Sequence, residues 1–250
     1  MTAAEQSLSL RVVVPSLGSR EGSVECRPYV DGRDILADVF DKGPADDPQD
    51  LLGPDSPLFA MSTPREVRLA EARCTVGCCG AVYVRIRREG RQVIWSDWRN
   101  PDGKAPDLLE FRFDAEQYEA EVRRAVTDHG WEWPARTIAR LLDQRLRERL
   151  DWLSRWECVL GRISTWHAES DRINLFLFHP GRAEGGPWVQ FLLELPVSSD
   201  DPTDQARDLE EIVTAVDPRE VGEVCGGSRE YADMLGYPWP GSGRRGRTRP

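Results

Sequence analysis

The chain has 250 residues, and its formal net charge is −10. That charge argues against nonspecific binding of nucleic acid, which needs a basic surface to release counterions. The sequence contains no apolar run near the roughly 20 residues of a membrane span and no apolar leader after a basic start. We therefore expect a soluble, cytoplasmic protein whose six cysteines are reduced.

The first 60 residues predict strands followed by an irregular acidic loop. Apolar residues favour strands over 8–14, 24–30 and 35–40. Asp31 and Gly32 separate the last two, and this dipeptide is a strong hairpin signal because glycine tolerates positive φ. Prolines recur from 41 to 57 and cannot donate hydrogen bonds to a sheet, so we expect a loop there.

A second group of strands precedes two predicted helices. Strands are favoured over 66–73, 82–87, 93–95 and 109–113. Within 82–87 the side chains alternate in the pattern of a half-buried strand. Asp114, with Gln117 three residues later, predicts a capped helix over 114–128. Pro134 suits the first turn of a longer helix over 134–156.

The last third predicts three more strands and two more helices. The strands cover 159–165, 173–178 and 188–197, and the helices cover 202–216 and 229–235. Residues 241–250 carry four arginines and no apolar residue, so we expect a disordered basic tail.

These elements predict an α+β fold built mostly from antiparallel sheet, with two long helices packed on one face. The order of elements allows two units, each a β-meander with a helix. We predict a β-rich region over 1–133 that ends in an amphipathic helix, a long helix with an α+β unit over 134–240, and the disordered tail over 241–250.

A cluster of cysteines is the most chemically capable local feature. Cys74, Cys78 and Cys79 lie within six residues, beside two glycines. Cys74 and either Cys78 or Cys79 are candidate ligands of a structural zinc, and Cys26 and a histidine would complete the four. The adjacent pair departs from the usual spacing of two intervening residues, so small cysteines packed at a turn are the simpler interpretation. No other cofactor is indicated.

Two acidic segments are the candidate partner-binding surfaces. One lies within 31–55 and contains Asp46, Asp47 and Asp50; the other begins with Asp200 and Asp201. Solvated loops and ordinary helix starts also produce such patterns. The functional interpretation is capture of a basic protein partner, aided by electrostatic steering.

Signals for catalysis are sparse. No phosphate-binding loop, dinucleotide fingerprint or nucleophile elbow is present. The three histidines, His129, His167 and His179, are scattered, so a Cys–His hydrolase would have to assemble from distant residues, with Cys78 or Cys79 as nucleophile.

The sequence therefore favours a binding protein over an enzyme. Arginines near Trp95 resemble a nucleic-acid platform, but the acidic net charge disfavours that partner. In general style, the order of strands and helices, the acidity and the lack of a catalytic signature resemble the immunity proteins that neutralise bacterial toxins. No residue role is carried over from them. The expected partner is a basic protein.

Overall fold

The computed structural model describes residues 5–16, 22–37, 39–74, 79–101, 106–149, 151–181, 186–198 and 200–240. Within these ranges the chain forms eleven strands in three antiparallel sheets, together with seven helices. The predicted α+β fold with antiparallel sheet is confirmed. None of the helices in these ranges combines the length and apolarity needed to cross a bilayer.

The chain divides into two compact units, Met1–Trp131 and Glu132–Pro250. Each unit contains its own cluster of buried apolar side chains. Whether regions 1–133 and 134–240 are separate domains stays a prediction, and the predicted tail 241–250 lies outside the described residues.

The first unit contains a three-stranded sheet and a four-stranded sheet, and in both the strands follow one another in chain order. Its strands are β1 (Leu8–Val13), β2 (Glu25–Val30), β3 (Arg33–Asp34), β4 (Arg65–Glu71), β5 (Ala81–Glu89), β6 (Gln92–Arg99) and β7 (Phe111–Asp114). Its helices are α1 (Pro48–Leu51) and α2 (Ala115–Thr127). Asp114 caps α2 as predicted, because its carboxylate accepts hydrogen bonds from two first-turn N–H groups.

The predicted hairpin is present, but its second strand is short. Asp31 and Gly32 both have positive φ, at 49° and 79°, as a two-residue turn of this type requires. β3 then ends at Asp34, and the predicted strand over 35–40 is wrong. The Asp34 carboxylate accepts hydrogen bonds from the backbone N–H groups of Leu36 and Ala37, and this local competition turns the chain away from the sheet.

A short acidic segment joins the two sheets of the first unit. The Asp46 N–H donates to the Leu69 carbonyl in β4, and the Cys26 N–H in β2 donates to the Asp46 carbonyl. The backbone of Asp46 therefore completes hydrogen bonds for both sheets.

The second unit contains one four-stranded sheet with the strand order β11-β10-β9-β8. Its strands are β8 (Val159–Trp166), β9 (Glu169–His179), β10 (Val189–Pro196) and β11 (Glu223–Gly227). Its helices are α3 (Pro134–Arg147), α4 (Asp151–Ser154), α5 (Pro202–Ala215), α6 (Pro218–Val221) and α7 (Arg229–Leu235).

The helix predicted over 134–156 is shorter than expected. α3 ends at Arg147, and the single turn α4 follows it. α2 contacts β1, β6 and β7, whereas α3 contacts β8, β9 and α5. Each long helix therefore packs within its own unit.

Candidate functional site

Asp46, a predicted partner-binding residue, is engaged inside the first unit. Its side chain is buried, and the Arg68 Nε donates to its Oδ2 at 2.8 Å and to its Oδ1 at 3.2 Å. Burial nevertheless raises the pKa of Asp46, since desolvation outweighs the single guanidinium. Its charge is already compensated by Arg68 within the fold.

Asp47 precedes the short helix α1, and Asp50 lies on it. The Asp47 carboxylate caps this helix by accepting a hydrogen bond of 2.7 Å from the Gln49 N–H. Asp50 is exposed and lines an open cleft of about 400 Å³ between α1 and β4. We refer to this cleft, whose lining includes Asp50, Leu51, Arg65 and Val67, as the β4 cleft.

An ordered set of charged and aromatic side chains forms one wall of the β4 cleft. The Arg99 guanidinium donates two hydrogen bonds to Glu66, of 2.9 Å and 2.8 Å, and lowers the pKa of that carboxyl. The same guanidinium lies over the Tyr83 ring, 4.3 Å from its centroid. Arg99 thus holds Glu66 and Tyr83 in place.

Asp200 and Asp201 lie at the start of α5. The Asp201 carboxylate caps this helix, accepting from the Thr203 N–H at 2.9 Å and from the Asp204 N–H at 3.3 Å. Asp200 is exposed and accepts a hydrogen bond from the Ser198 hydroxyl. Both carboxylates therefore face solvent beside the positive end of the helix dipole.

The outer surface of α5 continues this acidic start. Helical spacing places Asp204, Asp208 and Glu211 on the side opposite the buried Leu209 and Val213. We define the α5 acidic face as Asp200, Asp201, Asp204, Asp208 and Glu211.

One cation and one large apolar side chain accompany the α5 acidic face. Arg207 pairs with Asp204 at 3.0 Å and with Asp208 at 3.3 Å. Ile212 lies beside Asp208, and 59% of its surface is exposed. The face therefore combines a surplus of carboxylates with an apolar contact point.

Glu210 belongs to the interior rather than to the α5 acidic face. Arg145 and Arg149 both donate to its buried carboxylate, at 2.5 Å and 3.1 Å. Although burial opposes ionisation, the two guanidinium groups outweigh it and lower the pKa of Glu210.

The structure describes only part of the cysteine cluster. Cys74 is exposed and Cys79 is half-buried, whereas Cys78 lies outside the described residues. In the described ranges no three His, Cys, Asp or Glu side chains converge as metal ligands. The zinc site stays a prediction. Cys26 is fully buried and burial raises its pKa to about 12, so its thiol is poorly suited to become a fourth ligand.

Cys158 and His179 form a Cys–His contact that was not predicted from the sequence. The Cys158 Sγ lies 4.0 Å from the His179 Nδ1, and both side chains are buried. β8 pairs with β9 in a register that places Val159 opposite Phe178, so the residues just beyond them meet. Pairing the ends of the two predicted strands would have revealed this contact.

The chemistry of this pair is structural rather than nucleophilic. The His179 Nδ1 lies 3.2 Å from the carbonyl oxygens of Trp156 and Glu157, so this nitrogen carries a proton and donates it. The Cys158 thiol also donates to the Trp156 carbonyl. Burial raises the pKa of Cys158 to about 11, so no thiolate is available at neutral pH.

The other two histidines, and Trp95 of the nucleic-acid platform considered in the sequence, have surroundings that differ from those of the Cys158–His179 pair. His129 is exposed just after α2, and the His167 ring lies edge-on to Trp133 with the centroids 5.1 Å apart. Trp95 is completely buried, so it cannot stack on a nucleic-acid base.

Comparison with protein-family models, with curated proteins and with solved structures finds no match to this chain.

Proposed function

We propose that the protein is a non-enzymatic binding protein that engages a basic protein partner through the α5 acidic face. The observation that carries this proposal is the charge imbalance of that surface. Five carboxylates lie on it, and Arg207 is the cation that pairs with two of them. Such a surface attracts cationic side chains and accelerates encounter with a basic partner.

The placement of Ile212 supports the same function. Protein interfaces combine apolar contacts at their centre with a polar rim. Ile212 supplies an exposed apolar contact, and the carboxylates of Asp208 and Glu211 adjoin it on the helix. The immunity-like function suggested by the sequence is one case of this proposal, in which the basic partner is a toxin.

The state of Cys158 and His179 favours this proposal over a Cys–His hydrolase at that pair. A hydrolase needs a thiolate and a base with a lone pair directed at it. The His179 Nδ1 donates to carbonyls instead, and the Cys158 thiol stays protonated.

The test compares two variants with the same change in net charge. The first neutralises the α5 acidic face through Asp200→Asn, Asp204→Asn, Asp208→Asn and Glu211→Gln. The control neutralises four exposed carboxylates of the first unit through Asp41→Asn, Asp55→Asn, Asp107→Asn and Glu116→Gln. Asp201 is kept in both because it caps α5.

Binding of a labelled oligo-arginine peptide is measured by fluorescence anisotropy at low and at physiological salt. Exposed ion pairs contribute roughly 0.2–1 kcal/mol each, so the α5 variant should bind about tenfold more weakly, mainly through slower association. The control should stay within about twofold, because exposed charges that are not part of the binding surface act on the peptide only through screened electrostatics. Equal weakening by both variants would show a general charge effect and refute the proposed surface.

A further inference from the structure

The sheet of the second unit has an apolar region on the face that points away from the core. Along β9 successive side chains alternate between the two faces. Ile173, Leu175 and Leu177 belong to the buried core cluster of this unit. Phe176 points to the opposite face, is half-buried and is not a member of that cluster. A sheet with one face in water normally carries polar residues on that face, so β9 has the pattern of a strand that is covered on both sides.

The strand register joins Phe176 to apolar neighbours on this outer face. Leu192 in β10 lies directly opposite Phe176, and Val159 in β8 lies directly opposite Phe178. The side chains of Phe178 and Leu192 are half-buried, and 50% of the Val159 surface is exposed. A Cβ atom at Gly161 would come within 2.9 Å of the Phe178 ring, so this glycine lets the ring lie low against β8. We define the outer patch as Val159, Phe176, Phe178 and Leu192.

Polar and charged side chains surround the outer patch. Asn174 is half-buried beside it on β9. Arg172 of β9 pairs with Glu194 of β10 at 3.3 Å, and Glu223 is exposed opposite Leu192. The patch itself is uncharged and its rim carries both signs, so it matches an identical patch better than it matches a strongly basic partner.

The size of the outer face fits the interface of a dimer. β8 and β10 each have 8 residues, and strands rise about 3.3 Å per residue and lie about 4.8 Å apart. The four strands therefore present a face of roughly 19 Å by 26 Å, on the order of 500 Å². Two such faces together bury on the order of 1,000 Å², which is the lower end for a specific protein interface.

We propose that the outer patch is the contact surface of a symmetric homodimer, in which the sheets of two copies pack face to face. A two-fold interface uses the same surface on both copies, which suits an uncharged patch with a mixed rim. Packed sheets lie about 10 Å apart, so the side chains of the two patches interdigitate and β9 gains an apolar neighbour on its second side. Leu209 and Val213 of α5 belong to the core on the opposite face of the sheet, so the dimer leaves both α5 acidic faces open.

Sedimentation velocity of the full chain, over a range of concentrations, tests this dimer. We expect the natural chain to sediment as a dimer at micromolar concentration. Val159→Glu places a charge in the outer patch, and the symmetric interface contains this charge twice. Each buried, unpaired charge weakens association at least about tenfold, so the dissociation constant of the dimer should rise about a hundredfold. A natural chain that stays monomeric into the high micromolar range would overturn the proposal and would leave the outer patch to a different partner.

Val13→Glu is the matched control. Val13 also lies at the end of a strand, 43% of its surface is exposed, and it belongs to the first unit. The substitution and the change in net charge are the same, so the dissociation constant should stay within about twofold of the natural value. Because Val13 and Val159 are exposed, both variants should keep the circular dichroism spectrum of the natural chain. Equal weakening of the dimer by both variants would refute the outer patch as the interface.

Added salt distinguishes this dimer from the proposed binding of a basic partner. Each copy has a net charge of −10, so salt screens the repulsion between copies and should strengthen the dimer. The same salt should weaken binding of the oligo-arginine peptide to the α5 acidic face. The α5 variant should still dimerise, and Val159→Glu should still bind the peptide, so failure of one proposal is distinguishable from failure of the other. A dimer that dissociates as salt is added would contradict an interface built on the uncharged outer patch.

Discussion

Trp95 in the first unit and Trp152 in the second are both enclosed by protein, but they differ in the use of the indole N–H. The Trp95 Nε1 donates to the Tyr118 hydroxyl at 3.1 Å, and that hydroxyl donates to the Leu58 carbonyl at 2.7 Å. Among the described residues, the buried Trp152 Nε1 has no hydrogen-bond partner, and the same holds for the Nε1 atoms of Trp133 and Trp156.

This difference shows two ways of enclosing large aromatic side chains. In the first unit a chain of hydrogen bonds fixes the rings, and Trp95, Phe113 and Tyr118 pack edge-on or tilted around it. In the second unit apolar packing around Trp152 must offset the cost of burying its N–H group. The stability of the first core therefore depends on particular hydrogen-bonding atoms. The stability of the second core depends mainly on how well apolar side chains fill the space around Trp152.

The buried carboxylates of the two units also differ. Asp46 is bound by Arg68, a guanidinium shared with Glu71, and its pKa is raised. Glu210 is bound by Arg145 and Arg149, and its pKa is lowered. Burial opposes the charge in both. For Asp46 it outweighs Arg68, and the neighbouring carboxylates of Asp50 and Glu71 act in the same direction, whereas for Glu210 the two guanidinium groups outweigh it.

The largest expected change in the free energy of unfolding comes from Tyr118→Phe. This substitution keeps the ring but leaves both the Trp95 N–H and the Leu58 carbonyl without their buried partner. Each orphaned group costs about 1–3 kcal/mol, so we expect a loss of about 3 kcal/mol in the free energy of unfolding, measured by urea denaturation. A loss below about 1 kcal/mol would contradict the dependence of the first core on this chain of hydrogen bonds.

The same substitution in both units sharpens the comparison. Trp95→Phe and Trp152→Phe each leave a cavity, but only Trp95→Phe also removes a hydrogen bond. We expect Trp95→Phe to reduce the free energy of unfolding by about 1 kcal/mol more than Trp152→Phe does. Urea denaturation gives the two values, and hydrogen exchange identifies the unit that is destabilised. Equal losses would remove the distinction between the two cores.

Local patterns in the sequence were sufficient to predict many elements of the fold. The alternation in 82–87 and the cap at Asp114 report interactions within a few residues, and both features are present. The prediction for 35–40 failed because apolar residues favoured a strand there, while the Asp34 carboxylate bonded the following N–H groups. A single side-chain contact outweighed the propensity of the segment.

The candidate sites depended on longer-range contacts. Acidic composition identified Asp46, but only the fold shows that Arg68, 22 residues away, neutralises it. Likewise, the partners of Glu210 are more than 60 residues away, Arg145 on α3 and Arg149 just after it, so composition could not separate Glu210 from the exposed Glu211. The exposed carboxylates of the α5 acidic face could be predicted, because their helical spacing can be read from the sequence.

The smallest expected effect is the change in the free energy of unfolding with pH. Because the pKa of Glu210 is lowered from 4.5, its ionised form stabilises the fold above about pH 4.5, and this contribution is lost as pH falls through the lowered value. Because the pKa of Asp46 is raised from 3.8, its contribution is fully present below about pH 3.8 and is lost as pH rises through the raised value. Urea denaturation from about pH 6 to about pH 3 would cover both groups. On acidification, the advantage of the natural chain over Glu210→Gln should shrink, while its stability relative to Asp46→Asn should rise. Shifts in the same direction would contradict the opposite pKa directions of the two carboxylates.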